Sequence, residues 1–254
     1  MNMELFQFEK EYKIPVYDTG PDGKLSLFSL FNYLQDVASE HAEKLNFGRD
    51  DLLKENRFWV LSRIVAEVDL WPEWEETIIV RTWPRGTDKL FAIRDYEVFY
   101  PDGRHIASGS SSWLIVDRTT KKIQRPDEIL TRFNSEVSVK NSLGRNAGKV
   151  TPLSENALKS NLFKIKVSDL DVNLHTNNVR YIKWVTDTYD LDYILNHVPV
   201  SLEVNYLAES VFGEEVFVRT EKEDNTTCSN HSIVRSSDNK ELCRMRIDWK
   251  DCNH

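Results

Sequence analysis

Ser26-Leu27-Phe-Ser-Leu30-Phe31-Asn-Tyr33-Leu34-Gln-Asp-Val37-Ala38-Ser-Glu-His41-Ala42-Glu-Lys-Leu45 sets apolar side chains at steps of three and four. That is the period of a helix buried along most of its length, and it predicts a helix over 27–45. Ser26 is placed to cap it and Gly48 to stop it. Strand-like runs follow at 59–70, 77–83, 91–100 and 105–116, the first broken by Trp71-Pro72. Pro101-Asp102-Gly103 is a turn signal between the last two.

The second half repeats the plan. Asn177 and Asn178 precede a helical pattern over 179–193, which ends before Asn196-His197-Val198-Pro199. Extended runs return at 201–207, 215–220, 229–235 and 241–249, the last two flanking Ser237-Asp238-Asn239. Tyr33 matches Tyr181, Arg81-Thr82 matches Arg219-Thr220, Asp102 matches Asp238 and Trp113 matches Trp249, at offsets of 148, 138, 136 and 136. One insertion of about ten residues after the first helix reconciles the series. The expected class is α+β, each unit a long helix wrapped by an antiparallel sheet. Pairing the two sheets edge to edge removes an exposed edge from each. Residues 126–159 lack periodicity and read as a connector. The expected division is a first unit over 1–130, a linker over 131–160 and a second unit over 161–254.

Composition narrows the function. The 254 residues are 40% hydrophobic and 29% charged, ordinary for a globular chain. No run of about 18 apolar residues occurs, so no membrane-spanning helix is expected. The N-terminus has neither a basic start nor an apolar stretch, so neither a secretory signal nor a transit peptide is expected. The three cysteines, Cys228, Cys243 and Cys252, are sparse and late. They suit a reducing cytoplasm better than a disulfide scaffold or a zinc site. A net charge of −8 disfavours nucleic acid as a partner. Residues 118–166 nevertheless hold eleven basic against four acidic side chains, net +7, leaving −15 elsewhere. Such an island can steer an acidic partner.

The chemistry-bearing stretch is Val167-Ser-Asp169-Leu-Asp171-Val-Asn173-Leu-His175-Thr-Asn177-Asn178-Val-Arg-Tyr181. If extended, it puts Asp171, Asn173, His175 and Asn177 on one face, just before the free N–H groups of a helix start. An oxyanion would be well received there. With the offset of 148, Asp171 faces Gly23, Asn173 faces Leu25 and His175 faces Leu27. The scaffold is repeated and the polar constellation is not. Asn177 or Asn178 alone reads as a cap. Asp171, Asn173 and His175 together read as a site.

Asp171-Val-Asn173-Leu-His175-Thr-Asn177-Asn178-Val-Arg-Tyr181-Ile-Lys-Trp184 closely resembles the D-x-N-x-H-x-N-N-x-x-Y-I-x-W signature of the fatty acyl-(acyl carrier protein) thioesterases. Leu202-Glu-Val-Asn-Tyr206-Leu-Ala-Glu209-Ser210 resembles the strand that supplies that family's further acidic residue. The resemblance covers essentially the whole chain and implies two tandem hotdog domains. It also implies a catalytic set of Asp171, Asn173, His175 and Glu209, acting on a fatty acyl thioester of the acyl carrier protein. Ser210 stands where plant members often carry Cys, which argues against a compulsory thiol nucleophile. The chain looks like a bacterial-type cytoplasmic member.

Glu209 and His175 can share general-base work on water, with Asn173 positioning and Asp171 orienting or stabilising charge. Direct carboxylate attack through an anhydride stays open. No cofactor and no metal are expected, since no phosphate loop or metal-ligand spacing is present. An acyl slot is expected in the first unit near Leu30, Phe31, Leu34 and Trp59, with Asn177 and Asn178 as further substrate contacts. Acyl carrier proteins are strongly acidic, and docking is expected on Lys121, Lys122, Arg125, Arg132 and Arg145. The assembly is open, a homodimer included. The rival readings are an acyl-coenzyme A thioesterase and a non-catalytic acyl-sensing module. A hydratase is disfavoured because no proline stands between Asn173 and His175.

Overall fold

In the computed structural model, which describes residues 6–126, 140–223 and 226–252, Ser26 caps helix α1 (Leu27–Lys44) by accepting from the Ser29 N–H at 3.4 Å. Leu30, Phe31, Leu34 and Val37 form its core face. The helix does not run on to Gly48. Asn46 turns left-handed with φ 57°, a conformation Asn tolerates, and Gly48 instead caps the short α2 (Arg49–Lys54).

The first repeat contributes β1 (Phe8–Lys13), β2 (Arg57–Val68), β3 (Thr77–Asp88), β4 (Phe91–Phe99), β5 (His105–Asp117) and β6 (Ile123–Gln124). The second contributes β7 (Leu158–Lys159), β8 (Phe163–Lys164), β9 (His197–Tyr206), β10 (Glu215–Lys222), β11 (Cys228–Arg235) and β12 (Glu241–Asp251). These make one twelve-stranded sheet in the order β1-β3-β4-β5-β2-β9-β12-β11-β10-β7, with β6 on β5 and β8 on β10. The seam is an antiparallel ladder from Arg63 opposite Asn205 to Glu67 opposite Ser201. Arg145 ties the same seam from outside the ladder, paired with Glu67 at 3.1 Å and Glu203 at 3.3 Å. The architecture is therefore the expected α+β pair of hotdog units joined edge to edge.

The second helix is shorter than its pattern suggested. It divides into α3 (Asn178–Thr186) and α4 (Leu191–Asn196). The Thr186 hydroxyl donates to the carbonyls of Ile182 and Lys183, and that of Thr188 to Val185. These hydroxyls compete for carbonyls that the next turn would use. Tyr189, in the break, packs against Trp249 and His231.

The repeat is real, but its offset before the helices is 151, not 148. Val16–Asp18 and Val167–Asp169 form matching 3-10 turns. The bridges Thr19–Leu25 and Leu170–Thr176 match, as do the caps Ser26 and Asn177. A shift of three residues is almost one helical turn, so Tyr33 and Tyr181 share a face without sharing a place. Asp171 consequently faces Gly20, Asn173 faces Asp22 and His175 faces Lys24. The first repeat is thus less apolar here than expected. It lacks the imidazole, and its acid, Asp22, stands at the place of Asn173 and not of Asp171.

Candidate active site

The stretch from Leu170 to Thr176 is not extended; it folds back as a tight turn. The Asp171 N–H donates to the His175 carbonyl at 2.8 Å, and that of Leu174 to the Asp171 carbonyl at 3.1 Å. Leu174 takes φ 64°, where its counterpart Gly23 takes 76°. A leucine in left-handed backbone costs on the order of 1 kcal/mol. The Asp171 carboxylate offsets this: Oδ1 accepts from the N–H groups of Asn173 (2.8 Å) and His175 (3.2 Å). Oδ2 lies 3.4 Å from Asn173 Nδ2. The turn, rather than strand alternation, brings Asp171, Asn173 and His175 together. Asn177 is not with them, since its side chain caps α3 by accepting from the Val179 N–H at 3.0 Å.

Glu209 arrives from the segment after β9. Its neighbour Ser210 is 1% exposed and pinned to the turn. The Ser210 carbonyl accepts from the Thr176 N–H at 2.9 Å, and its Oγ lies 2.7 Å from both the Thr176 and Tyr181 hydroxyls. A hydroxyl so enclosed positions its segment and does not face a substrate. The anchorage sets Glu209 Oε2 3.5 Å from His175 Nε2, with both side chains partly open to solvent.

His175, Glu209, Asp171 and Asn173 lie on the wall of a cleft of about 780 Å³ built from both repeats. Asn178, the first residue of α3, also lines it, so that helix begins at the cleft wall. Trp59 also lines it, held by its indole N–H on the Phe47 carbonyl (2.9 Å) and packed edge-on to Trp113. Leu30, Phe31 and Leu34 do not; they point from α1 into the core. The cleft takes the adjacent stripe of the helix, Gln35, Ala38, Ser39 and Ala42. The periodicity located the helix but could not tell which of its faces borders open space.

Two polar groups in this cleft escaped the sequence reading. Gln35 Oε1 is buried without a hydrogen-bond partner. Arg94, on β4, is 7% exposed, and its Nη1 contacts His41 Nδ1 (3.0 Å) and Thr82 Oγ1 (3.2 Å). Burial lowers its pKa from the ordinary arginine value. Of the expected docking cations, Lys121 lines the cleft and Lys122 and Arg125 are exposed. Arg145 is committed to Glu67 and Glu203, and Arg132 lies outside the described residues. Arg118, not singled out for docking, lines the cleft beside Lys121.

Among the described residues no group of three or more His, Cys, Asp or Glu could hold a metal, and no helix is long and apolar enough to cross a membrane.

A family model described as "Acyl-ACP thioesterase N-terminal domain" matches residues 6–133, and one described as "Acyl-ACP thioesterase C-terminal domain" matches 154–251. A palmitoyl-acyl carrier protein thioesterase of Gossypium hirsutum, chloroplastic, is 27% identical over 96% of this chain and 63% of its own length. An acyl-[acyl-carrier-protein] hydrolase of Cuphea viscosissima, also chloroplastic, is 25% identical over 97% of this chain and 63% of its length. The chain therefore spans less than two thirds of these relatives. Among solved structures, an acyl-ACP thioesterase from Bacteroides thetaiotaomicron superposes with a TM-score of 0.87 at 24% identity, covering 98% of this chain and 100% of that one. A 12:0-ACP thioesterase from Umbellularia californica gives 0.83 at 23%, covering 96% and 97%. At these identities the superpositions establish the fold.

Proposed function

Because the chain belongs to the acyl-ACP thioesterase family, we propose that it hydrolyses the thioester of a fatty acyl-(acyl carrier protein), releasing the free acid and the carrier thiol. The observation that carries the reading is the His175–Glu209 pair, 3.5 Å apart on the wall of a cleft large enough for an acyl chain. Water hydrogen-bonded to the imidazole–carboxylate pair loses a proton as it adds to the thioester carbon. The carbonyl oxygen gains negative charge facing the N-terminal end of α3. Collapse breaks the carbon–sulfur bond, and the imidazolium returns the proton to the departing thiolate. Asn173, neutral at every working pH, orients water or carbonyl. Asp171 holds the turn that aims His175.

The second repeat (161–254) supplies the reacting groups, and the first (1–130) most of the remaining wall, with residues 131–160 connecting them. Arg118 and Lys121 at the cleft, with Lys122 and Arg125 beside them, favour an acidic partner at its mouth. That partner is the carrier, and the setting is the cytoplasm.

The test is a chain-length series of saturated acyl-carrier thioesters, with coenzyme-linked forms in parallel, for wild type and His175→Ala. Wild type should release free acid, faster from the carrier-linked form, and the variant should lose at least a hundredfold in kcat. Absence of acid release, or an unimpaired variant, overturns the assignment.

A further inference from the structure

A buried arginine with no carboxylate paired to it is unusual, and among the described residues Arg94 has none. Its hydrogen bonds, to His41 and Thr82, both use Nη1. Among the described residues Nε and Nη2 have no hydrogen-bond partner, yet neither is an enclosed orphan atom. Arg94 borders the cleft, so these donors are left to whatever fills it. The second repeat closes the same place. By strand register the counterpart of Arg94 is Ser229, sealed beneath the Tyr189 hydroxyl at 2.6 Å.

Its position across the sheet gives this cation a job. Arg94 pairs with Ser111 of β5, Ser111 with Ile64 of β2, and Ile64 with Val204 of β9. Val204 thus lies three strand spacings, roughly 14 Å, from Arg94, and Glu209 follows five residues further along the chain. Its contact with His41 places it on the face covered by α1. An acyl chain entering beside Glu209 and passing under α1, along Trp59 and Trp113, is heading for the guanidinium.

We infer that Arg94 is a specificity-determining residue that ends the apolar part of the slot and limits the length of saturated chain accepted. This rests on the thioesterase reading above. A methyl terminus driven against Arg94 would strip water from Nε–H and Nη2–H and give nothing back. Saturated chains therefore stop short of it.

Arg94→Met keeps the unbranched bulk and removes the charge; Arg94→Lys keeps a cation; Arg94→Gln keeps a donor without charge. The probes are saturated acyl-carrier thioesters in two-carbon steps, with thermal unfolding recorded for each variant. Each methylene newly buried should raise relative kcat/KM about fourfold. In Arg94→Met, the ratio for a chain two carbons beyond the wild-type optimum should rise about fifteenfold. Arg94→Lys should keep the wild-type profile and Arg94→Gln should fall between. If Arg94→Met does not fold, Arg94→Gln carries the test. An unchanged profile in the uncharged variants, or an equal shift in Arg94→Lys, overturns the inference. Wild type inactive on every thioester would instead remove the reading beneath it, and the inference with it.

Discussion

Replacing Asp171 separates two roles that its place in the site confounds. Its Oδ1 accepts from two backbone N–H groups, and the turn it closes carries Leu174 in left-handed backbone. Charge-assisted hydrogen bonds contribute about 1.5–3 kcal/mol each, and partial exposure argues for the low end. Two such bonds, roughly 3 kcal/mol, correspond to about a hundredfold in population of the ordered turn. Asp171→Ala should therefore lower kcat about a hundredfold while the global unfolding midpoint moves little, since the turn lies outside the core. Asp171→Asn retains a carbonyl oxygen for the same N–H groups and should lose no more than about tenfold. The assay is kcat and KM on one acyl thioester for wild type and both variants, with amide hydrogen exchange at Asn173 and His175 reporting turn opening. If Asp171→Asn is as impaired as Asp171→Ala and exchange at those amides is unchanged in both, the carboxylate acts by its charge on the reaction and the positioning argument is wrong.

Glu209→Gln should cost on the order of 10²–10³ in kcat with the unfolding midpoint unchanged, since the ion pair described for Glu209 is with His175 alone; a small kinetic effect would exclude it from base work. Lys121→Glu with Lys122→Glu should raise KM several-fold for carrier-linked but not for small thioesters, and an equal effect on both would place docking elsewhere. Ala38→Phe should shift preference to shorter chains, whereas Leu34→Ala should cost about 2–5 kcal/mol of stability and leave the preference alone; the reverse outcome would return Leu34 to the slot. His231, fully buried, has its pKa driven down from 6.5 to about 3 by burial. The unfolded chain binds the proton more readily, so stability is full above pH 6.5 and declines as pH falls toward 3. At pH 5 the loss is about 2 kcal/mol. His231→Gln should flatten that part of the denaturation-versus-pH curve, and parallel curves would refute the linkage.

The fold was legible because its signals are periodic. Helix α1, the strands and the repeat follow from spacing that burial on one face dictates. Asp171, Asn173 and His175 were legible as residues but not in their arrangement, because a turn stabilised by a carboxylate looks, in sequence, like alternation in a strand. The offset slipped by three because a helix nearly repeats itself at that step. Arg94 was not legible at all. It sits in a β4 run that reads as a mixed strand, and only the sheet order reveals that its side chain meets a cleft whose far wall comes from the other repeat. Arg145 misled in the opposite sense. A lysine- and arginine-rich stretch signals charge, but not which charges are already spent on Glu67 and Glu203.

The ladder between β2 and β9 has a bearing on how such proteins can be rebuilt. It joins the two halves through five residue pairs, so on the reading proposed above it couples a half that measures the chain to a half that cuts it. A chimera exchanging one half for a relative's would have to preserve that zipper in phase. A slip of a single residue would turn the grafted strand's inward side chains outward and slide Trp59 past Glu209.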